Sequence, residues 1–273
     1  MNTIERKRAV MQCLEQNGSA NIIELAKDLH VSSMTIRRDL ARFAKEGLVR
    51  MEYGGAVLNK GSLFEYNMSM KKEQNLHAKR AIAKEALKYV KDGDSIFLDA
   101  GTSIAELAKL LINRTNLNIL TDSLLSANVL SGSEKLRLVM CPGVYRERSM
   151  AFMGQLTDSF VDHFTIDVLF LAVEGIDTEN GLTVQDITDG ETKHHLVSKA
   201  KKTICLADSS KFNKKYFYEI CGINDVDVLI TDDALDDRIT EQLGQQSITV
   251  VRVPLRIPSM IEEKNKETGS HHR

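Results

Sequence analysis

Polar residues with spacing suited to binding a phosphorylated polyol recur after short apolar runs in the second part of this 273-residue chain. Carboxylates and hydroxyls bind polyol hydroxyl groups, while lysine and glycine-exposed backbone N–H groups bind phosphate. Each segment alone is ordinary for a turn, but recurrence after five runs favours a ligand site. The segments are Asp99-Ala100-Gly101-Thr102-Ser103, Thr121-Asp122-Ser123, Pro142-Gly143, Glu174-Gly175 and Asp208-Ser209-Ser210-Lys211.

The apolar runs that precede these segments predict β-strands, because they are short and rich in Val, Ile and Leu. Helical patterns alternate with them, beginning with a helix from about His77 to Lys91. This alternation predicts an α/β domain with a mostly parallel sheet, and such sheets bind ligands at the carboxyl ends of their strands. The predicted strands are residues 95–98, 117–120, 136–140, 168–173, 203–207, 226–230 and 248–251.

A capping box, Ser103-Ile104-Ala105-Glu106, is predicted at the start of the helix that follows Gly101. The free N–H groups and the positive dipole end of this helix would suit a phosphate. Glu106 would compete with the anion for the same donors. We therefore expect the phosphate to depend more on Thr102, Ser123, Gly143 and Lys211.

A second group of residues, near the N-terminus, is suited to binding nucleic acid. Helices are predicted over residues 4–16, 21–30 and 33–46, and Gly47 ends the third. Ile36, Leu40 and Phe43 form the apolar stripe of the third helix, so its arginines face outward. Two short helices, a tight turn and an arginine-bearing third helix are typical of a helix-turn-helix, whose second motif helix enters the major groove.

A small β-wing is predicted after this helix, since residues 48–53 have strand character and Gly54-Gly55 turns the chain back. We expect Arg37 and Arg38 to contact guanine edges or flanking phosphates, with other basic residues neutralising the backbone. A protein-binding three-helix module with solvated arginines is the alternative. The expected DNA-binding residues are Ser32, Ser33, Thr35, Arg37, Arg38, Arg42, Arg50 and Tyr53.

The charge distribution also indicates two functions in one chain. Residues 1–80 hold 14 Lys/Arg against 9 Asp/Glu, whereas residues 81–273 hold 22 against 29. A basic front is typical of a polyanion-binding domain, and chance fluctuation on a solvated surface is the alternative. The whole chain has a formal net charge of −2 and 42% hydrophobic residues, which is ordinary for a globular protein.

Several other classes of protein are disfavoured by the sequence. Apolar runs fall short of the ~18 residues needed to cross a bilayer, and the first residues lack a signal-peptide core. We therefore expect a cytoplasmic protein with no membrane partner. The four cysteines are scattered, and His194-His195 on one helix would point about 100° apart, so we expect no metal and no cofactor.

Residues 3–57 resemble the N-terminal domain of DeoR-type transcriptional regulators. The resemblance rests on Val31-Ser32-Ser33-Met34-Thr35-Ile36-Arg37-Arg38-Asp39-Leu40, followed by Gly47 and by Gly54-Gly55-Ala56. Tyr53 departs from the family, whose wing commonly has a histidine at that place. We expect the winged helix-turn-helix to occupy residues 1–57 and a linker to occupy residues 58–74.

The body resembles the sensor domain of the same family over residues 77–232, and we expect this α/β domain at 75–260 and a disordered tail at 261–273. The matching residues are Asp99-Ala100-Gly101-Thr102, Thr121-Asp122-Ser123, Gly143 with Ser149 and Gly154, Gly181-Leu182-Thr183, Glu191 with Lys193, and Asp208-Ser209-Ser210-Lys211-Phe212. Asp122 departs from the family's usual asparagine, and Cys141-Pro142-Gly143 replaces a commoner Gly-Gly.

The resemblance implies a fold similar to ribose-phosphate isomerases and a phosphorylated sugar as the effector. By that resemblance, the effector-binding residues are Asp99, Gly101, Thr102, Thr121, Ser123, Gly143, Ser149, Lys193 and Lys211.

The sequence therefore predicts a regulator that binds double-stranded operator DNA as a homo-oligomer, a dimer or a tetramer. We expect a repressor of a carbohydrate catabolic operon that a phosphorylated sugar releases, while an activator with the same DNA contacts stays open. The alternative is a sugar-phosphate isomerase-like enzyme with an appended helical domain. Its base would be Asp99, Glu174, Asp186, Asp189 or Glu191, with Lys193 or Lys211 holding an oxyanion. An isomerase needs no DNA-reading module, so we expect no catalytic residues.

Overall fold

The computed structural model describes residues 3–45, 48–58 and 68–255. The chain divides into two compact units, Met1–Tyr66 and Asn67–Arg273. Each unit has its own buried apolar residues, so each is described by itself. Within the described ranges, no helix combines the length and the apolar composition needed to cross a membrane.

The first unit is a three-helix motif with a small antiparallel sheet. The sheet has the strand order β1-β3-β2, and β2 and β3 form the predicted wing. β1 was not predicted, because three residues are too few to show a strand period. A side chain at Gly55 would lie 2.2 Å from the carbonyl oxygen of Ala20, so only glycine permits this pairing. The elements are α1 (Thr3–Asn17), β1 (Ser19–Asn21), α2 (Ile22–Asp28), α3 (Ser33–Lys45), β2 (Val49–Glu52) and β3 (Gly55–Leu58).

The second unit is a three-layer α/β structure, as predicted. Its helices are α4 (Met68–Glu73), α5 (Leu76–Ala86), α6 (Thr102–Leu111), α7 (Leu124–Leu130), α8 (Gln155–Val161), α9 (Ile187–Lys199) and α10 (Asp237–Gly244). Its strands are β4 (Ser95–Leu98), β5 (Asn118–Thr121), β6 (Arg137–Met140), β7 (Val144–Arg146), β8 (Ala151–Met153), β9 (Val168–Leu171), β10 (Gly175–Asp177), β11 (Gly181–Val184), β12 (Thr203–Leu206), β13 (Tyr218–Cys221), β14 (Val228–Asp232) and β15 (Thr249–Val253).

All seven predicted strands lie in one parallel sheet with the order β15-β14-β12-β9-β4-β5-β6. From β4 the chain first adds β5 and β6 on one side, and then returns to add β9, β12, β14 and β15 on the other. The strand order therefore reverses between β4 and β9. In open parallel sheets a crevice forms at such a switch point, outside the carboxyl ends of the strands.

The central strands bury both of their faces. Phe97, Leu169 and Leu171 pack into one apolar layer with residues of α8, α9 and α10. Their neighbours Leu98 and Phe170 pack into the opposite layer with residues of α5 and α6. Because side chains alternate along a strand, each strand contributes to both layers, which explains why these runs are continuously apolar.

The structure corrects two predictions about this unit and adds strands that the sequence did not predict. The predicted linker 58–74 contains helix α4 at Met68–Glu73, while residues 59–67 lie outside the described residues. The predicted helix from His77 to Lys91 ends at Ala86 and continues as one 3₁₀ turn, Leu87–Tyr89. The hairpin β7–β8 and the antiparallel sheet β10-β11-β13 were not predicted, because their strands are only three or four residues long. The predicted tail, 261–273, lies outside the described residues.

The two-faced core predicts a large cost for removing an aromatic ring at its centre. Phe170→Ala is expected to lower the free energy of unfolding by about 3–5 kcal/mol, because the buried cavity cannot fill completely. Phe217→Ala removes the same ring from an exposed position and is the matched control. Urea unfolding followed by circular dichroism measures both, and equal stabilities of the two variants would contradict the assigned core.

Candidate functional site

Helix α3 of the first unit begins at a hydroxyl cap. The Ser32 hydroxyl accepts a hydrogen bond from the backbone N–H of Thr35 at 3.2 Å, and the two side-chain hydroxyls lie 2.9 Å apart. Asn21 caps the preceding helix α2 through the N–H of Ile23 at 2.8 Å. These caps fix where both helices of the motif begin.

The outward face of α3 carries the predicted DNA-binding arginines. Ile36, Leu40 and Phe43 are buried, whereas Arg37 and Arg38 are exposed on the other side, with Arg42. Asp39 points inward and accepts a hydrogen bond from Nε of Arg6 on α1 at 2.6 Å. This partly buried ion pair holds α3 against α1, so the exposed arginines lie on a fixed surface.

The wing places two predicted residues beside this helix. Tyr53 is fully exposed at the tip, where Gly54 takes a positive φ of +81° to complete the turn. Arg50 of β2 pairs with Glu52 at 2.7 Å, and both side chains are solvent-exposed. Exposed ion pairs contribute little, so a phosphate could replace Glu52 as the partner of Arg50.

In the second unit, a buried ion pair occupies the switch point of the sheet. Lys193 of α9 donates to the Asp99 carboxylate, with Nζ 2.5 Å from Oδ1, and Asp99 directly follows β4. The other carboxylate oxygen accepts the backbone N–H of Ala172, just after β9, at 2.7 Å. Asp99 therefore joins the loops after both strands that flank the reversal of strand order.

The loop after β4 lies very close to the loop after β9. A side chain at Gly101 would come within 2.3 Å of the Cβ of Ala172, so this position requires glycine. Gly101 is the N-cap of α6, and no side chain caps the helix there. The N-terminal N–H groups of α6 thus begin next to the switch point, where they could bind an anion.

The predicted capping box at Ser103 is wrong. Helix α6 begins at Thr102, and Glu106 pairs with Arg80 at 3.4 Å and with Lys109. Its carboxylate therefore does not reach back to the helix N-terminus. Because Arg80 and Lys109 hold the Glu106 carboxylate, it does not compete with a bound anion for the N–H groups at the start of α6.

Two further carboxyl groups, those of Asp122 and Asp189, lie close to the Lys193–Asp99 ion pair. Burial, reinforced by Asp99, raises the pKa of Asp122 well above its ordinary value. Burial also raises the pKa of Asp189 to about 6, although Lys193 opposes this shift from 3.5 Å. Burial alone would lower the pKa of Lys193, but the nearby carboxylates raise it above its ordinary value. The raised pKa of Asp122 favours its protonated form, so this group offers the Lys193 ammonium and a carboxyl proton as donors, and carboxylate oxygens as acceptors, to sugar hydroxyls.

A second group at the same edge of the sheet is rich in lysine. It consists of Lys71, Lys79 and Lys211 with the carboxylates Glu174 and Asp208. Burial, together with repulsion from Lys211 and Lys71, lowers the pKa of Lys79 to about 8, against the attraction of Asp208. Burial and the charge of Lys71 likewise lower the pKa of Lys211, which Asp208 opposes. Three ammonium groups thus lie close together here, opposed by Glu174 and Asp208 and, near Lys79, by Glu106.

Three of the predicted effector-binding residues have structural roles. Thr121 donates its only hydroxyl proton to the Leu98 carbonyl at 2.6 Å. Ser123 caps α7 through the N–H of Ser126 at 3.3 Å. Gly143 has a φ of +158°, and a side chain there would lie 2.5 Å from the Thr157 hydroxyl. These residues shape the loops that carry the polar groups.

Two buried polar atoms at these loops have no hydrogen-bond partner among the described residues. They are Oγ of Ser149 and Oδ1 of Asp122. Buried polar atoms are nearly always paired, so an unpaired one calls for an explanation such as a water or a bound ligand. Thr102, also predicted, lies at the first position of α6 and donates to the Lys71 carbonyl at 3.5 Å.

Comparison with known proteins assigns the family. A model described as the DeoR C terminal sensor domain matches residues 74–233, and a DeoR-like helix-turn-helix domain matches residues 6–62. The chain belongs to the DeoR family of transcriptional regulators. The resemblance seen in the sequence is therefore confirmed, as is the fold class that it implies.

Relatives of this DeoR-family regulator match it along most of their length. It is 33% identical over 255 residues to the uncharacterized HTH-type transcriptional regulator YulB of Bacillus subtilis, covering 93% of this chain and 98% of that protein. It is 32% identical over 238 residues to the lactose phosphotransferase system repressor of Staphylococcus epidermidis, covering 85% and 93%. Ribose 5-phosphate isomerase A from Methanocaldococcus jannaschii matches 51% of this chain and 55% of its own at 22% identity and a TM-score of 0.38.

Sequence reasoning missed Lys71 and Lys79 of this DeoR-family regulator. Lys71 lies in the segment interpreted as a linker, and Lys79 lies on a helix with no motif of its own. A signal for Lys79 was present in the helical period, because it falls on the same side of α5 as Ala78 and Ile82 and is only 3% exposed. A lysine on the buried face of an amphipathic helix needs a partner. Groups of Asp, Glu, His and Cys able to hold a metal are absent from the described residues.

The Lys193–Asp99 pair predicts a strong effect of removing one partner. Lys193→Met leaves a buried carboxylate without its cation and is expected to lower the free energy of unfolding by about 3–5 kcal/mol. Asp99→Asn combined with Lys193→Met removes both charges and is expected to recover most of the loss. Lys199→Met, on the same helix but in a solvent-exposed pair with Asp162, is the control. Urea unfolding measures all four proteins, and a stable Lys193→Met protein would contradict the role of the pair.

Proposed function

We propose that this DeoR-family regulator is a repressor of a carbohydrate operon, which binds operator DNA through α3 and the wing. The exposed arginines Arg37, Arg38 and Arg42 on a face fixed by buried contacts support this proposal. Arginine reads guanine edges with two hydrogen bonds and neutralises phosphates at longer reach. Ser32, Ser33, Thr35, Arg50 and Tyr53 complete the proposed surface. The repressor name of the Staphylococcus epidermidis relative agrees with this direction of regulation.

The proposed effector is a phosphorylated sugar, bound at the carboxyl edge of the parallel sheet. The observation that carries this proposal is the pairing of two chemically different groups at one switch point. The group around Lys193 and Asp99 offers donors and acceptors to sugar hydroxyls, together with the unpaired atoms of Asp122 and Ser149. The lysine-rich group and the uncapped start of α6 are suited to a phosphate.

The effector acts by differential affinity, because a ligand shifts an equilibrium only if it binds one state better than the other. A typical coupling of ~1–3 kcal/mol corresponds to a ~5–150-fold change in operator affinity. Operators read by helix-turn-helix proteins commonly contain paired half-sites, so the proposal includes a homo-oligomer. An isomerase activity would need turnover of aldose and ketose phosphates, and the regulator relatives favour the DNA-binding function.

The proposed DNA surface predicts that Arg37→Ala with Arg38→Ala weakens operator binding by at least about 30-fold, since each arginine–base contact contributes about 1–3 kcal/mol. A gel shift on the DNA upstream of the protein's own operon measures the affinity. Lys84→Ala with Lys91→Ala removes the same charge from exposed positions of the second unit and is the control. Unchanged binding by the arginine variant would show that α3 does not read the operator.

The proposed effector predicts that phosphorylated sugars, and not the same sugars without phosphate, raise the melting temperature. At a hundredfold excess over Kd, binding adds about 2.7 kcal/mol, which corresponds to a shift on the order of 5–10 °C. Ribose 5-phosphate, glucose 6-phosphate, fructose 1-phosphate and glycerol 3-phosphate form a suitable panel, each beside its parent polyol. Lys211→Met is expected to reduce the shift, while Lys214→Met, at an exposed neighbouring position, leaves it intact. Equal shifts from the parent polyols would refute a phosphate site.

A further inference from the structure

Helix α4 lies over the proposed effector site. It is the first described element after β3 of the DNA-binding unit, and it opens the second unit. The carbonyl of Lys71 accepts from the Thr102 hydroxyl at 3.5 Å, at the start of α6. The N–H of Met68 donates to the carbonyl of Arg148 at 3.0 Å, one residue before Ser149. The helix that follows the DNA-binding unit is thus held by the loops proposed to bind the sugar phosphate.

Lys79 holds the C-terminal end of α4 in place through hydrogen bonds. Its ammonium group donates to the carbonyl of Lys71 and, at 2.5 Å, to the carbonyl of Gln74. These are orphan carbonyls at the C-terminal end of a helix, where a cation is favoured. Asn75, the next residue, donates to Asp208 at 2.8 Å. The backbone of α4 is therefore fixed by the same lysine and carboxylate that border Lys211.

The side chain of Lys71 is held by Glu174, just after β9. The two side chains form a hydrogen-bonded ion pair and are 17% and 14% exposed. The second oxygen of Glu174 accepts the N–H of Gln185 at 2.9 Å, which fixes the carboxylate in place. We call the Lys71–Glu174 pair the latch.

The electrostatics of the site favour an anion as a competitor of Glu174 for Lys71. Burial alone would raise the pKa of Glu174, but Lys71 lowers it, so the carboxylate is charged in the latch. Lys71 also lies near enough to Lys79 and Lys211 to lower the pKa of both, after the effect of their burial. A phosphate dianion entering this group would attract all three ammonium groups at once, whereas Glu174 offers a single charge.

We propose that Lys71 exchanges Glu174 for the phosphate of the effector, and that this exchange moves α4. The inference rests on the proposed function, because it takes a phosphate site at Lys79 and Lys211 as its starting point. With the latch closed, α4 is held in place and the protein binds the operator. With phosphate bound, Lys71 and Lys79 turn toward the anion and release the contacts that fix α4. Lys71 is thus a positioning residue that couples effector binding to the position of α4.

The latch predicts opposite effects of its two partners on the affinity for inorganic phosphate. Lys71→Met removes a cation from the site and is expected to weaken phosphate binding by at least about tenfold. Glu174→Gln removes the competing carboxylate and is expected to strengthen it, by a few-fold or more. Lys71→Arg keeps the charge and restores binding close to that of the unaltered protein. Lys72→Met, an exposed neighbour on the same helix, is the matched control, and thermal-shift titration of the full chain measures all of them.

The same variants distinguish a loss of effector binding from a loss of the coupling between effector binding and operator binding. The sugar phosphate that gives the largest thermal shift with the unaltered protein is used as the probe in operator gel shifts. The unaltered protein is expected to lose ~5–150-fold in operator affinity on adding it. Lys71→Met also opens the latch, so it is expected to bind the operator more weakly before any probe is added and to respond less than threefold, even at saturating probe. Glu174→Gln is expected to bind the operator more weakly before any probe is added, because its latch is already open.

The rate of hydrogen exchange in peptide 68–73 distinguishes a latch that phosphate opens from an ion pair that only stabilises the fold. Phosphate is expected to speed exchange of these amides in the unaltered protein, and Glu174→Gln is expected to speed it without phosphate. Variants that bind phosphate, release the operator and exchange like the unaltered protein would overturn the latch and leave the proposed function standing. If the unaltered protein itself ignores both sugar phosphates and duplex DNA, the proposed function fails first.

Discussion

The ion pair between Lys193 and Asp99 is the contact on which the arrangement of the sensor site depends. It lies where the order of the parallel strands reverses, and it joins α9 to the loops after β4 and β9. A buried pair is weak evidence for stability, because desolvation of both charges offsets much of their attraction. Its value here is positional, since it fixes an ammonium group and a carboxylate at the carboxyl ends of β4 and β9.

Local patterns in the sequence predicted much of this molecule. The apolar stripe of α3 and the seven strands of the parallel sheet each depend on neighbouring residues, so their periods were visible. The latch was not visible, because its partners are 103 residues apart in the chain. The capping box at Ser103 failed for the same reason, since Arg80, which lies 26 residues before Glu106, helps to draw its carboxylate away from the helix start. Local chemistry indicated the loops, and only the folded chain showed which side chains they bring together.

In the proposed effector site, the two charged groups at the sheet edge recognise different parts of the ligand. Carboxylates and one lysine around Asp99 suit hydroxyl groups, whereas the three lysines around Asp208 suit a doubly charged anion. A ligand with both hydroxyl groups and a doubly charged anion would be bound by both groups of residues. A ligand with only one of these features would be bound by one group. The helix that covers the lysines is also the beginning of the sensor unit. In the proposed latch, recognition of the anion and transmission of the signal therefore use the same side chains.

The contact between Gly101 and Ala172 restricts how this family member could change its ligand. Because a Cβ at Gly101 would collide with that of Ala172, the loops after β4 and β9 already touch and cannot be moved closer together. Larger side chains at either position would separate the two halves of the sheet edge and break the bond from Ala172 to Asp99. If the proposed sugar site is correct, divergence toward sugars of other sizes must arise in the loop after β5, around Asp122, and in the turn between β7 and β8, around Ser149, while the centre of the site stays constant.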